Sequence, residues 1–160
     1  MQPGHIYVAE QEGVNVIKMV GDVRLTLCIS FDKFIKHMFA EDDFASVVFD
    51  LRQAEAIDST TLGLMAKISI ICQDQFHIIP VVISPDEGIN RLLESMGFDD
   101  IFEIVRSANP NLDCSDELPL ETLEEHATKA KVLEAHKILM SLNENNRREF
   151  RDLVECLEQN

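Results

Sequence analysis

The stretch DSTT, residues 58–61, places one carboxylate and three hydroxyls where a predicted strand meets a predicted helix. The apolar run at residues 47–49 predicts a buried strand, and the spacing of apolar residues over 60–73 predicts a helix. At such a junction, Asp58 or Ser59 can cap the helix by accepting a hydrogen bond from an unpaired backbone N–H group. Alternatively, one hydroxyl is exposed and becomes phosphorylated.

The phosphorylation hypothesis has a physical basis at a helix N-terminus. The helix dipole and the free N–H groups tolerate the added charge, whereas a protein partner covering the same spot would meet two negative charges. The modified chain would then stay folded and lose its complex. This hypothesis requires a hydroxyl that an enzyme can reach, because an oxygen sealed inside the protein would serve only as a helix cap.

Catalytic and metal-binding chemistry is less well supported by the sequence. A serine hydrolase needs a base, but no G-x-S-x-G motif surrounds Ser59 and no histidine is near it in sequence, although folding can bring a distant one close. His126 and His136 are ten residues apart, and helix-surface histidines are usually solvated, so we predict no metal site. The six glycines are never grouped, which argues against phosphate-loop and dinucleotide sites. We therefore expect no catalytic residues, no metal and no cofactor.

The charge balance narrows the class of partner. The chain has 160 residues and a formal net charge of −15. Such a surface repels phosphate backbones and anionic membranes, so we expect neither nucleic acid nor a membrane as partner, and favour a basic or mixed protein surface.

The cysteines and the absence of targeting patterns indicate the cellular environment. The four cysteines form no C-x-x-C pair, and Cys28 and Cys72 have apolar neighbours typical of small buried hydrophobes. No signal-peptide pattern and no run of 18 apolar residues is present. We therefore expect a cytoplasmic protein with reduced thiols.

Predicted strands and helices alternate over the first two-thirds of the chain. The order β-β-α-β-α-β-α-β predicts an α/β fold, with one mixed sheet of four to five strands and helices packed on it. The first two strands are predicted to form a hairpin through Glu12-Gly13. The predicted elements are strands 6–11 and 14–20 (the latter closed by Gly21-Asp22), helix 30–40, strand 47–49, helix 60–73, strand 77–84, a helix that stops at Gly97, and strand 101–105.

Two local signals bear on the bounds of these elements. Pro80 weakens the prediction of strand 77–84, because proline lacks a backbone N–H group for the sheet. Ser84 is predicted to cap the next helix, with Pro85 at its first position and Glu87 closing a capping box.

The composition changes after residue 106. Residues 107–119 are rich in turn formers and predict a linker, and residues 120–160 predict a helical hairpin. Its second helix is predicted to start at Asn146, with Glu149 completing a capping box. The hairpin carries enough apolar surface to require burial, either on the preceding domain (1–106) or on a partner.

Two segments carry a resemblance to a known family. AIDSTTLGLMAKI, at the start of the second predicted helix, and VISPDEGINRLLESMGFDDIFEIV resemble the STAS domains of bacterial anti-sigma factor antagonists, over residues 6–106. The family motif is Asp-Ser, then Ser or Thr, then Gly-Leu-Gly. The resemblance implies that Ser59 accepts a phosphate and that partners bind around Asp58, Ser59, Thr60, Thr61 and Gly63. Thr61 stands where the family has its first glycine and adds a competing hydroxyl.

The resemblance also implies a mechanism. The unphosphorylated domain binds an anti-sigma factor or switch kinase through the face around the second helix; a serine kinase acting on Ser59 breaks this contact, and a PP2C-type phosphatase restores it. The chain with its tail resembles the extended antagonists of gammaproteobacteria (the HsbA-like type), which control biofilm or motility decisions. Two alternatives stay open: a STAS-like scaffold or small-ligand-binding domain in which Ser59 only caps a helix, and an esterase that uses Ser59.

Overall fold

A computed structural model describes residues 1–159 and has a mixed sheet with helices packed on it, which confirms the predicted α/β class. The strands in this range are β1 His5–Gln11, β2 Val14–Val23, β3 Ser46–Ile57, β4 Val81–Ile83, β5 Glu103–Val105 and β6 Asp116–Glu117. The α-helices are α1 Cys28–Ala40, α2 Ser59–Phe76, α3 Glu87–Ser95, α4 Glu125–Leu142 and α5 Glu144–Glu158. Asn160, the last residue of the predicted hairpin, lies outside the described residues.

The strand order is β5-β4-β3-β2-β1-β6. β1 and β2 form the predicted antiparallel hairpin, and β2 to β5 are parallel neighbours. The prediction of four to five strands was too low, because β6 pairs with β1 inside the predicted linker 107–119. Next to it, the amide of Leu118 donates to the carbonyl of Ile6 at 2.8 Å. An edge strand needs only backbone groups to pair, so its acidic sequence, Asp116–Glu117, gave no strand signal.

β2 and β3 are longer than the sequence indicated. β2 does not end at Gly21-Asp22 but passes through a register shift there, with Gly21 at a φ of +75°. Glycine adopts this left-handed conformation without strain, so the strand bends and continues. β3 continues past the predicted segment 47–49 to Ile57: Arg52, Gln53 and Glu55 are exposed, whereas Asp50 is buried and pairs with Arg52. The end of β3 therefore stands directly beside Asp58, the first residue of the polar junction.

The other corrections concern where elements begin. The predicted strand 77–84 is reduced to Val81–Ile83, starting immediately after Pro80. The N-cap of α3 is Asp86 rather than Ser84, and its carboxylate accepts from the amide of Ile89 at 2.9 Å. The N-cap of α5 is Asn143 rather than Asn146. In α3 the capping residue lies two positions after the predicted one, and in α5 it lies three positions before, so that Asn146 falls within the first turn.

The C-terminal helices form the predicted hairpin, and α4 packs against α2. Ala135, Leu139 and Phe150 are buried within the same apolar core as the strands and α2. The apolar face of the hairpin was expected to be buried either on residues 1–106 or on a partner. In this structure residues 1–106 bury part of it.

Two further predictions are tested by burial and hydropathy. Cys28 and Cys72 are at most 1% exposed, as predicted, and burial raises the pKa of the Cys72 thiol to about 12. Within residues 1–159, no helix combines the length and the apolar character that crossing a bilayer requires.

Substitutions at Asp86 and Ser84 test which residue caps α3. Asp86→Ala should lower the free energy of unfolding by about 1 kcal/mol, because an amide of the first turn loses its acceptor. Ser84→Ala should change it by less than about 0.5 kcal/mol or raise it, because the buried Ser84 hydroxyl has no hydrogen-bond partner among residues 1–159. Urea unfolding at neutral pH measures both, and a larger loss for Ser84→Ala than for Asp86→Ala would contradict this assignment.

Candidate functional site

Asp58 fixes the junction between β3 and α2. It is the N-cap of α2: its Oδ1 accepts from the amide of Thr61 at 2.9 Å. Its Oδ2 accepts from the amide of Leu25, at the start of the segment leading into α1, at 2.7 Å. The cap predicted at Asp58 or Ser59 is therefore Asp58, and Ser59 is the first helical residue, with its hydroxyl not used for capping.

The three hydroxyl residues differ in exposure. Thr60 and Thr61 are each 2% exposed, whereas Ser59 is half-buried. The competing hydroxyl that the sequence placed at Thr61 is thus packed inside the protein. Ser59 is thus the most exposed of the three residues, whereas the hydroxyls of Thr60 and Thr61 require local unfolding before an enzyme could reach them.

The Ser59 hydroxyl is hydrogen-bonded to His136 of α4. Ser59 Oγ lies 2.7 Å from His136 Nε2, and His136 Nδ1 lies 2.7 Å from the carbonyl oxygen of Val132. A carbonyl only accepts, so Nδ1 carries the proton; in the neutral imidazole, Nε2 then accepts from the serine hydroxyl. His136 is 2% exposed and packs edge-on against Phe150.

The expectation that His136 is a solvated helix-surface residue was therefore wrong. Its burial follows from its position one turn after Val132, on the α4 face that also carries Ala135 and Leu139. The sequence contained this signal, since a histidine beside an apolar stripe can join the buried face. What it did not contain was the partner, which lies 77 residues earlier in the chain.

Gly63 is the point of closest approach between α2 and α4. A Cβ atom at this position would lie 2.3 Å from the carbonyl oxygen of Ala135 and 2.7 Å from its Cβ. No larger side chain fits there unless the helices separate. The glycine predicted to be part of the partner-binding surface is thus covered by α4 in this structure.

A cluster of charges joins α1, α2 and α4 beside Gly63. The Asp32 carboxylate, with its side chain 3% exposed, accepts from Lys67 at 3.0 Å and from Lys131 at 2.8 Å. Glu134 receives hydrogen bonds from the same two lysines at 3.1 and 3.0 Å. Burial alone would raise the pKa of Asp32, but the hydrogen bonds from Lys131 and Lys67 hold it at about 2. Asp32 is therefore ionised at neutral pH and requires cations facing it.

The turn between α4 and α5 makes a separate attachment. Asn146 is 1% exposed and donates from Nδ2 to the carbonyl of Met96, after α3, at 2.8 Å and to that of Leu139 at 3.0 Å. The hairpin is thus held at two places: by Ser59 and the charge cluster near the middle of α4, and by Met96 after its last turn.

The arrangement of Ser59 and His136 has the geometry of a nucleophile and its base. No histidine is near Ser59 in the sequence, but in the folded chain His136 lies within hydrogen-bond distance of it. However, five surface cavities within residues 1–159, with volumes of about 240 to 480 Å³, are lined by neither residue. The described residues also contain no group of three or more histidine, cysteine or carboxylate ligands that could hold a metal ion.

Comparison with known proteins adds no assignment to this geometry. No family model matches the chain, and a search of curated proteins likewise finds no match. The functional interpretation therefore rests on the residues around Ser59 and on what they can do.

Asp32→Asn should lower the free energy of unfolding by about 2 kcal/mol at pH 7. The depression of its pKa from 3.8 to about 2 corresponds to this amount. Because the folded-state pKa is the lower one, the contribution is complete above about pH 4 and is lost as the pH falls toward 2. Urea unfolding at several pH values should thus show wild type and variant converging between pH 4 and 2. A gap that stays constant over this range would contradict an ionised Asp32.

Lys33→Gln is the matched control for this experiment. Lys33 also binds a carboxylate, that of Glu121 at 2.9 Å, but its side chain is 66% exposed. An exposed pair of this kind contributes at most about 1 kcal/mol, so Lys33→Gln should have a much smaller effect than Asp32→Asn.

Proposed function

We propose that this chain is a phosphorylation-switched anti-sigma factor antagonist of the STAS type. In its unphosphorylated form it binds an anti-sigma factor or switch kinase through the surface around α2. A serine kinase adds phosphate to Ser59 and ends that contact, and a PP2C-type phosphatase restores it. The protein works in the cytoplasm and needs neither a cofactor nor a metal.

The observation that carries this proposal is the position of the Ser59 hydroxyl. It lies on the first residue of α2, directly after β3 and the Asp58 cap, and Ser59 is the most exposed of the three hydroxyl residues of the junction. A phosphate there meets the positive end of the helix dipole, so the junction of β3, the Asp58 cap and α2 tolerates it. Both oxygens of Asp58 already accept backbone hydrogen bonds, so the cap does not depend on the serine hydroxyl.

The net charge supports a protein partner with basic groups. A chain with a formal charge of −15 attracts a basic surface, and a further dianion at Ser59 acts only on what lies against it. The switch is therefore local: phosphate removes a partner from the α2 surface while the overall attraction between the two proteins changes little.

The hydrogen bond between Ser59 and His136 favours a second candidate, an esterase. In this alternative His136 removes the proton from the serine hydroxyl as it attacks an ester. The distance of 2.7 Å suits that role, but a substrate would need a cavity beside it. Turnover of an activated ester that disappears in both Ser59→Ala and His136→Ala would support this candidate over the first.

Ser59→Ala and Ser59→Asp should separate the bound and released states. In affinity capture from the host, followed by mass spectrometry, Ser59→Ala should retain an anti-sigma factor or switch kinase, and Ser59→Asp should recover at least tenfold less of it. The reason is that the carboxylate places a fixed charge within the contact, as the phosphate does. Protein purified from the same host should carry phosphate on Ser59, and Ser59→Ala should carry none.

Ser107→Asp is the matched control, because Ser107 is exposed and lies outside the helices and strands. It adds the same charge away from α2 and should capture the partner as wild type does. Equal recovery of one partner by the alanine and aspartate forms of position 59 would contradict the proposed switch.

A further inference from the structure

We propose that the surface of α1 and α2 beneath α4 is a binding site for one helix, which α4 occupies in the resting chain and a helix of the partner occupies in the complex. We call it the helix site and define it by Asp32, Ser59, Gly63 and Lys67. The proposal rests on the function proposed above and adds to it the kind of partner and an intramolecular competitor.

The helix site includes two of the residues assigned to partner binding, Ser59 and Gly63. Ser59 is hydrogen-bonded to His136, and Gly63 is in contact with the backbone of Ala135. A partner that contacts Ser59 and Gly63 therefore has to take the place of α4. Because the two occupants exclude each other, the hairpin lowers the affinity of the chain for any such partner.

The contacts of α4 specify which helix fits. Asp32 and Lys67 pair with each other, and α4 adds Lys131 against Asp32 and Glu134 against Lys67. One residue later a small side chain must face Gly63, as Ala135 does. The predicted partner helix thus carries a basic residue, an acidic residue three positions on, and alanine, glycine or serine one position after that.

The hairpin can leave without losing its own helix caps. The N-cap of α4 is Glu124, whose carboxylate accepts from the amides of His126 and Ala127, and the N-cap of α5 is Asn143. All these groups belong to the hairpin. Departure would, however, uncover apolar side chains and the Asp32 carboxylate, so the open state is favourable only when another helix covers the site.

Phosphate on Ser59 is incompatible with α4 in its present position. The hydroxyl oxygen lies 2.7 Å from Nε2 of a histidine that is itself 2% exposed, so a phosphoryl group on that oxygen has no space between them. Phosphate therefore excludes α4 for the same reason that it excludes a partner helix. The kinase must act on the open chain.

A peptide of residues 120–158, labelled with a fluorophore, tests the helix site without any anti-sigma factor. The peptide is titrated with full-length wild type, with Ala135→Leu and with Ala130→Leu. Ala135→Leu places a large side chain against Gly63 and should displace the hairpin, while leaving every residue of the helix site unchanged. Ala130→Leu is the matched control, because Ala130 is exposed on the same helix.

The Ala135→Leu chain should bind the peptide at least tenfold more tightly than wild type or Ala130→Leu. Adding Ser59→Asp to Ala135→Leu should remove this gain, and so should a peptide carrying Lys131→Glu, which places a carboxylate against Asp32. Hydrogen exchange over α4 should be faster in Ala135→Leu than in Ala130→Leu.

Equal peptide binding by Ala135→Leu and Ala130→Leu, or equal protection of α4 in the two chains, would overturn the proposal. If Ala135→Leu no longer unfolds cooperatively, full-length Lys131→Glu is used in its place. This variant should also bind the unmodified peptide at least tenfold more tightly than wild type. Failure here would leave the phosphorylation switch intact, since that is tested by partner capture and phosphate analysis at Ser59.

Discussion

The close contact between α2 and α4 at Gly63 determines the rest of the candidate site. Because no side chain separates the two helices there, the carbonyl of Ala135 lies where a Cβ atom would otherwise be. This separation brings Lys131 within reach of Asp32 on one side and His136 within reach of Ser59 on the other. A larger residue in place of Gly63 or Ala135 would move the two helices apart, and with them both the charged pair and the serine–histidine pair. The polar contacts of the site are thus consequences of one steric condition.

The charges beneath α4 set its orientation more than they add to stability. Removing Asp32 and its cationic partners from water costs free energy, and this cost cancels most of the free energy gained from their attraction. A buried cluster of this kind therefore contributes little net free energy to folding. The cluster nevertheless imposes a requirement on orientation, because a helix fits this surface best when it presents a cation to Asp32 and a carboxylate to Lys67. The hairpin meets that requirement, and another helix with the same pattern could meet it equally well.

The sequence allowed the fold class, the order of elements and the polar junction to be predicted, because each of these has a local signal. Alternation of strand and helix patterns predicted the sheet, and the DSTT stretch predicted a helix cap at residue 58 or 59. Local signals failed where two good capping residues compete, as with Ser84 and Asp86, and where pairing uses only the backbone, as in β6.

The contacts of the site could not be predicted from local sequence patterns, because they join residues that are far apart in the chain. Ser59 and His136 are 77 residues apart, and Asp32 meets Lys131 only because α4 folds back across α1 and α2. Periodicity indicated that the hairpin had an apolar face to bury, but not which surface would cover it. The sequence could therefore predict that Ser59 stands at the junction, while the residue covering it required the structure.

Zero-length carbodiimide crosslinking of full-length protein, with and without phosphoserine incorporated at position 59, tests the central claim that phosphate and α4 exclude each other. Lys67 and Glu134 lie 3.1 Å apart across the two helices, and Lys131 and Glu134 lie 3.0 Å apart within α4, which provides an internal standard. The account predicts that phosphate removes the crosslink between Lys67 and Glu134 and preserves the one between Lys131 and Glu134. An unchanged ratio of the two crosslinks in the phosphorylated protein would contradict it.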